Sequence, residues 1–262
     1  MLYCILCTSL GDAVLRTLSI RSILKLLFSF NERNCITESI YRILDNKEGK
    51  EWNEIYRFEL PETFIRKFRD KIEWVYISYC QNLSEEFFRE SRNEFVWKRI
   101  SYCKKLSEDF IREFRDRVDW RCISHRQKLI EAFIREFQDR VDWARISEYQ
   151  KLPEAFIREF RDKVDWECVS RYQNLSEDFI REFQERVDWK WISCFQELPE
   201  AFIREFRDRV DWESISYSQN LSEDFIREFR DRVDWFWISH YQKLSERFIH
   251  DFRDRSRITA DE

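Results

Sequence analysis

Three histidines, His125, His240 and His250, are the only side chains that ordinarily titrate near neutral pH, so general acid–base chemistry would have to involve them. They lie in separate repeats or near the C-terminus, and none stands in a Ser–His–Asp order. No Gly-rich phosphate loop and no metal-ligand cluster is visible, and the chain has only 2 Gly. The sequence therefore predicts a protein that is not an enzyme and binds no cofactor.

The 8 cysteines are the next group that could do chemistry. Their positions form no regular framework, which predicts free thiols in a reducing compartment and hence a cytoplasmic location. Cys4 and Cys7 have the spacing of half a zinc site. A structural zinc ion needs four ligands, and no second pair of Cys or His accompanies these two. We therefore predict no metal site.

Serines and charged residues recur at fixed intervals. Ser147, Ser170 and Ser193 hold one position with no base in register, so helix packing explains them better than catalysis. An arginine recurs with a glutamate beside it, and in most repeats an aspartate follows four residues later. Such a row could bind phosphates, but a solvated helix face with ion pairs explains it better. The arginines are Arg112, Arg135, Arg158, Arg181, Arg204 and Arg227.

The element that must position all of these residues is a repeat. Tryptophans fall at positions 52, 74, 97, 120, 143, 166, 189, 212 and 235, at one interval of 22 residues and then at intervals of 23. Self-similarity at a fixed period of this length is typical of stacked repeat proteins. With 2 Gly and 3 Pro, the chain lacks the turn residues that an all-β fold requires.

Each repeat predicts two helices. Asp142 is a good N-cap, and the first helix then places Trp143, Ile146 and Gln150 on one face. The second helix opens at Leu-Ser-Glu or Leu-Pro-Glu, with Pro153 and Pro199 in a first turn. Its apolar stripe comprises Phe156, Ile157, Phe160 and Val164. Helices of about two and three turns are too short to be stable alone, so neighbouring repeats must stack.

The predicted fold class is therefore all-α, an α-solenoid of two-helix 23-residue repeats. Residues 1–50 do not repeat and are predicted to form an N-terminal helical cap, residues 51–257 a solenoid of about nine repeats, and residues 258–262 a C-terminal tail. The alternative for the first segment is an amphipathic membrane or organelle-targeting helix. Charged residues such as Asp12, Arg16 and Lys25 interrupt each apolar run, so no membrane span is predicted.

The motif Asp-Trp-x-x-Ile-Ser-x-x-Gln-x-Leu-Ser-Glu-Asp-Phe-Ile-Arg-Glu-Phe is present from Asp165 to Phe183, with Val169 in place of Ile. It resembles a repeat of giant amoeba-infecting DNA viruses of the marseillevirus type, and the resemblance covers roughly residues 74–255. That family carries no assigned activity, so no residue role can be transferred. The resemblance implies a viral protein that acts in the host cell cytoplasm or is packaged in a virion.

Repeats differ from one another chiefly at the first, second, fifth and sixth residues after each Trp, which share one side of the first helix. From Trp74 onward these are 32 positions, of which 11 are aromatic and 7 are Lys or Arg while only 3 are acidic. This composition is typical of protein–protein contacts. The predicted partner-binding residues are Tyr76, Tyr79, Arg99, Tyr102, Arg121, His125, Arg145, Glu148, Arg171, Lys190, Trp191, Tyr217, Phe236, Trp237 and His240.

The function predicted is a scaffold that binds a host or viral protein along this side of the first helices. Several alternatives remain. The sixth position could pack between repeats, and the differences could be drift. Basic and aromatic side chains could bind nucleic acid, although a net charge of −5 argues against that partner. The protein could also self-assemble as a structural or virion component, and its apolar N-terminal segment could form a homo-oligomer.

Overall fold

The computed structural model describes residues 59–251, together with Ser22, Tyr41, Leu44, Trp52 and Tyr56. The N-terminal cap predicted for residues 1–50, apart from Ser22, Tyr41 and Leu44, and the tail predicted for residues 258–262 lie outside the described residues. Over residues 59–251 the chain forms 17 helices and no strand. The chain divides after Asp119 into two compact units.

Helices alternate between two kinds, and each tryptophan of the 23-residue period begins a first helix. In the first unit the helices are α1 (Glu62–Lys67), α2 (Trp74–Cys80), α3 (Glu85–Glu90), α4 (Trp97–Cys103) and α5 (Glu108–Glu113). In the second unit they are α6 (Trp120–Arg126), α7 (Glu131–Glu136), α8 (Trp143–Tyr149), α9 (Glu154–Glu159), α10 (Trp166–Tyr172), α11 (Glu177–Glu182), α12 (Trp189–Phe195), α13 (Glu200–Glu205), α14 (Trp212–Ser218), α15 (Glu223–Glu228), α16 (Trp235–Tyr241) and α17 (Glu246–Asp251).

First helices of successive repeats pack against one another within each unit. In the first unit α2 contacts α4, and in the second unit the contacts run from α6 through α8, α10, α12 and α14 to α16. In this numbering, the even-numbered helices are first helices and the odd-numbered helices are second helices. The predicted fold class, an all-α solenoid of two-helix repeats, is confirmed.

Each first helix of the second unit from α8 onward begins where the sequence predicts. Asp142 has extended backbone angles, and its carboxylate accepts the backbone N–H of Arg145 at 3.1 Å. Asp165 caps α10 in the same way, accepting from Cys168 at 2.9 Å. Such a cap satisfies one of the N–H groups that a helix start leaves unpaired. The helix ends after two turns because Gln150 returns to an extended conformation, with ψ 145°.

The second helices are shorter than the predicted three turns. Helix α9 ends at Glu159, because Phe160 leaves the helical region at φ −107° and ψ 27°. The chain continues as a turn in which the N–H of Val164 donates to the carbonyl of Phe160 at 3.0 Å. Pro153 was predicted to lie in the first turn, and this prediction is wrong. It occupies the extended N-cap position before the helix. The buried spacing of Phe160 and Val164 is thus kept by a turn rather than by a helix.

The core of each repeat is built from phenylalanine and isoleucine. Phe156, Ile157 and Ile146 are fully buried. Trp143 is only half-buried, and its ring lies 4.9 Å from that of Phe160. Its indole N–H donates to the carbonyl oxygen of Gln138, in the preceding turn, at 2.9 Å. The tryptophans therefore connect consecutive repeats at the edge of the core, whereas phenylalanines fill its interior.

A buried glutamine joins each repeat to the one before it. The Nε2 of Gln173 donates to the carbonyls of Ser147 and Gln150, both at 2.8 Å. Its Oε1 accepts the N–H of Leu152 at 2.9 Å. Gln173 is only 6% exposed, so these three bonds are shielded from water. The same set recurs at Gln150, Gln196 and Gln219.

The repeated serine forms a second polar connection between repeats. The hydroxyl of Ser170 donates to the carbonyl of Trp166 at 2.7 Å and accepts the N–H of Asp188 at 2.9 Å. It thereby positions the residue that caps the next first helix. This bonding accounts for the fixed serines, as the packing hypothesis expected.

Candidate interaction surface

We call the first, second, fifth and sixth positions after each repeat tryptophan the variable face. In the second unit, the first position is exposed in every repeat. The second and fifth positions are half-buried in most repeats, because they lie towards the neighbouring first helix. The variable face is thus neither fully solvated nor part of the core.

Sixth-position residues are exposed throughout the second unit. Tyr149, Tyr172, Phe195 and Tyr241 each keep between 45% and 55% of their surface in contact with solvent. These side chains are therefore not buried, although Tyr149 and Tyr241 do contact rings of the preceding repeat, as the packing alternative expected. These four residues were not among the predicted contact residues. The recurrence of an aromatic residue at this position in four repeats is the signal that could have identified them.

Second- and fifth-position side chains contact one another along the face. Within α8, a guanidinium nitrogen of Arg145 lies 2.6 Å from a Glu148 carboxylate oxygen. Between repeats, the ring of Tyr217 lies 5.1 Å from that of Trp237. The ring of His125 lies 4.1 Å from that of Tyr149, a sixth-position residue. Each junction is different, so each pair of repeats presents a distinct local surface.

The structure brings most of the predicted contact residues to the surface. In the first unit Tyr76, Tyr79, Arg99 and Tyr102 are exposed. In the second unit the exposed residues are Arg121, Lys190, Tyr217, Phe236 and His240, and the half-buried ones are His125, Arg145, Glu148, Arg171, Trp191 and Trp237. Because first helices pack in succession within the second unit, its eleven predicted residues line one row of helices.

Two titratable groups of the variable face have shifted pKa values. Burial, together with the neighbouring Asp165 carboxylate, raises the pKa of the Cys168 thiol to about 12, so the thiolate is scarce at neutral pH. Burial and the charges of Arg126 and Arg145 lower the pKa of His125. Both shifts favour the neutral form of the side chain, the thiol of Cys168 and the uncharged imidazole of His125.

Ser239 and His240 form a serine–histidine contact of 3.2 Å. The same Nδ1 of His240 lies 2.7 Å from the carbonyl oxygen of Phe236. A carbonyl can only accept, so Nδ1 must carry the proton there and cannot take one from Ser239. The contact therefore lacks the geometry of a nucleophile and its base.

The second helices present a constant charged face. The Nε of Arg158 donates to Glu182 of the next repeat at 2.7 Å, and a terminal nitrogen lies 3.6 Å from Glu154 of its own helix. Its guanidinium also lies over the ring of Phe179, 4.9 Å from the centroid. Arg135, Arg181 and Arg204 make the same pairs with the following repeat. These arginines are therefore engaged within the protein rather than open to phosphate.

No protein-family model matches the chain, and no curated protein or solved structure shows significant similarity to it. Within the described residues, no group of three or more His, Cys, Asp or Glu side chains could hold a metal ion. In the same part of the chain, none of the helices has the length and apolarity to cross a membrane. The repeat architecture itself is typical of protein-interaction scaffolds.

Proposed function

We propose that the protein is a non-enzymatic scaffold that binds a protein partner along the variable face. The observation that carries the proposal is the contrast between repeats. The glutamine, serine and arginine contacts that join repeats recur almost unchanged, whereas the exposed side chains of the first helices differ in every repeat. Stacking does not require that variety, but recognition of one particular partner does.

The chemistry of the variable face supports a protein partner. Exposed tyrosine and phenylalanine rings offer large apolar area with little loss of side-chain entropy, and they dominate binding energy at protein interfaces. Tyr149, Tyr172 and Phe195 follow one another in consecutive repeats, which gives a row of such rings. Acidic residues are scarce there, as in the centres of interfaces.

A nucleic-acid partner is less well supported. The regular arginines of the second helices, which could have neutralised phosphates, pair instead with glutamates of their own and the next repeat. A protein with a net charge of −5 also gains little from the release of counterions by DNA or RNA. The viral origin and host-cytoplasmic or virion location implied by the sequence resemblance are part of this proposal, with the partner being a host or viral protein.

The test compares two matched triple variants in pull-downs from infected and uninfected host lysate. The variable-face variant carries Tyr149→Ser, Tyr172→Ser and Phe195→Ser, all at exposed positions. The control carries Arg135→Gln, Arg158→Gln and Arg181→Gln on the second helices of the same region. We expect one stoichiometric protein to be bound by the wild type and the control and lost by the variable-face variant. We avoid Trp191→Ala here because Trp191 is half-buried and its truncation would also disturb packing.

Two results would overturn this function. Binding that survives in the variable-face variant but disappears in the arginine control would place the ligand on the constant face. Recovery of nucleic acid in place of protein, abolished by nuclease and by moderate salt, would favour the nucleic-acid alternative.

A further inference from the structure

Arg171 lies in the centre of the second unit's variable face, surrounded by aromatic rings. Its guanidinium carbon is 4.3 Å from the ring centroid of Trp191, 4.9 Å from that of Tyr172 and 5.6 Å from that of Phe195. A guanidinium within about 6 Å of a ring face is held by the electrostatic attraction of the ring. Three rings therefore fix the position of one cation.

Arg171 has no carboxylate partner among the described residues, although one is close in sequence. Glu167 stands four residues earlier on α10, at the spacing that ordinarily gives an ion pair within a helix. Its Oε1 instead accepts the indole N–H of Trp191 at 3.3 Å. The Nε of Arg171 is buried and has no hydrogen-bond partner. The indole of Trp191 thus engages the carboxylate that stands at ion-pair spacing from the arginine.

Arginines elsewhere in the second unit show what is missing. Arg158 also lies over a ring, that of Phe179, but it pairs with one glutamate of its own helix and with one of the next repeat. Arg145, on the variable face itself, pairs with Glu148. At Arg171 the ring contacts are present without the carboxylate. An unpaired charged donor is costly when it is partly buried, and an incoming anion would relieve that cost.

The surroundings of Arg171 indicate which anion would fit. A guanidinium is planar and offers a fork of donors that matches a carboxylate. The neighbouring rings of Tyr172 and Phe195 are about half exposed and offer apolar contact beside the charge. Lys190 is exposed on the next first helix and adds positive charge to this part of the face.

We propose that Arg171, together with Tyr172, Trp191 and Phe195, binds a carboxylate side chain of the partner, carried on a peptide segment in which an acidic residue adjoins an aromatic or aliphatic one. This inference rests on the proposed function and names the chemistry that the variable face recognises. Arg171 supplies the charge, the exposed rings supply apolar contact, and Glu167 holds Trp191 in place.

The probe is a display library of short random peptides, selected on the wild-type chain. Selected peptides are then synthesised in two forms, with the acidic residue intact or changed to its amide, and titrated by fluorescence polarisation. We expect the selection to enrich Asp or Glu next to an apolar residue. Either the amide form or the Arg171→Gln variant should weaken binding about tenfold or more. Combining the two should cause little further loss, because both remove the same contact.

Two further variants serve as controls. Arg158→Gln removes a guanidinium that also lies on a ring but is already paired, and it should leave peptide affinity unchanged. Arg171→Lys keeps the charge without the planar fork and should bind with intermediate affinity. The amide peptide tested on the wild type keeps the comparison decisive even if Arg171→Gln folds poorly.

The outcomes separate this inference from the proposed function. Peptides that lose binding with Tyr149→Ser or Tyr217→Ser, but bind equally well with Arg171→Gln and in the amide form, would overturn the carboxylate site and leave the scaffold intact. Displacement by inorganic phosphate or a single-stranded oligonucleotide, with no acidic preference among peptides, would also overturn it. Failure to select any peptide would count against both.

Discussion

In the second unit, the arginines of the second helices make the same contacts in successive repeats, whereas the variable face of the first helices makes different ones. On the second helices, Arg135, Arg158, Arg181 and Arg204 each reach the glutamate of the next repeat in the same way. On the variable face, no two neighbouring junctions use the same pair of side chains. Identical contacts fix the register of the stack. The contacts of the variable face differ, so each repeat presents a different set of side chains.

The largest effect on stability is expected for substitutions of the buried glutamines, which make the same contacts in successive repeats. Gln173→Leu leaves the carbonyls of Ser147 and Gln150 and the N–H of Leu152 buried without partners. Each buried unpaired group costs about 1–3 kcal/mol, so we expect the free energy of unfolding to fall by about 3 kcal/mol or more. Urea denaturation followed by circular dichroism measures it. Gln242→Leu, at a half-buried position, is the control and should cost less.

The next effect distinguishes the interior of the core from its edge. Phe179 is fully buried, so Phe179→Ala should cost about 3–5 kcal/mol. Trp166 is half-buried, and Trp166→Ala should cost less, about 2–3 kcal/mol, despite removing a larger side chain. Thermal and urea unfolding of the two variants should rank them in this order. The opposite ranking would mean that the tryptophans, not the phenylalanines, carry the core.

A smaller effect compares the two faces directly. Tyr172→Ser on the variable face and Arg158→Gln on the constant face should each change stability by no more than about 0.5–1 kcal/mol. Tyr172 is 45% exposed, and the ion pairs of Arg158 lie at the surface, where such pairs contribute little. Only the Arg158→Gln effect should shrink in high salt, since it removes an ion pair. A loss above about 2 kcal/mol for Tyr172→Ser in urea denaturation would show that this ring is structural.

The smallest effect is a pH dependence that belongs to the constant contacts. Hydrogen bonds from the backbone N–H and the side chain of Ser245 lower the pKa of Glu223. A carboxyl whose pKa is lowered by folding stabilises the native state above its unfolded pKa, near 4.5, and that stabilisation is lost as pH falls through the folded value. NMR titration of Glu223 should give a pKa below that of the same residue in Ser245→Ala. An equal or higher pKa would contradict the link.

The sequence was sufficient to predict the repeat and the starts of its first helices, but not the position of Pro153 or every contact. Tryptophan spacing and Asp142 are local signals, and they correctly predicted two helices per repeat and an aspartate cap. The length of α9 was overestimated because apolar residues four apart, such as Phe160 and Val164, suit a helix and also the turn that follows it. Local spacing alone does not separate these two structures.

The surface and the glutamine contacts were harder to predict for a different reason. The sequence places Gln150 on one face of its helix with Trp143 and Ile146, but the partners of its side chain are backbone atoms 21 to 26 residues away, which leave no side-chain pattern. The engagement of Glu167 with Trp191 was invisible because the spacing predicts an ion pair with Arg171 instead. Periodicity assigns a residue to a face of its helix. Which of several nearby side chains it contacts depends on how neighbouring repeats pack.

The recurring glutamine contacts also have a mechanical consequence. A force that pulled residues 120–251 apart from one end would meet the same three shielded hydrogen bonds at Gln150, Gln173, Gln196 and Gln219 in turn. Repeats would then detach one at a time, each releasing 23 residues, or about 80 Å of extended chain. The protein would extend under tension in a series of steps of similar length, one for each repeat.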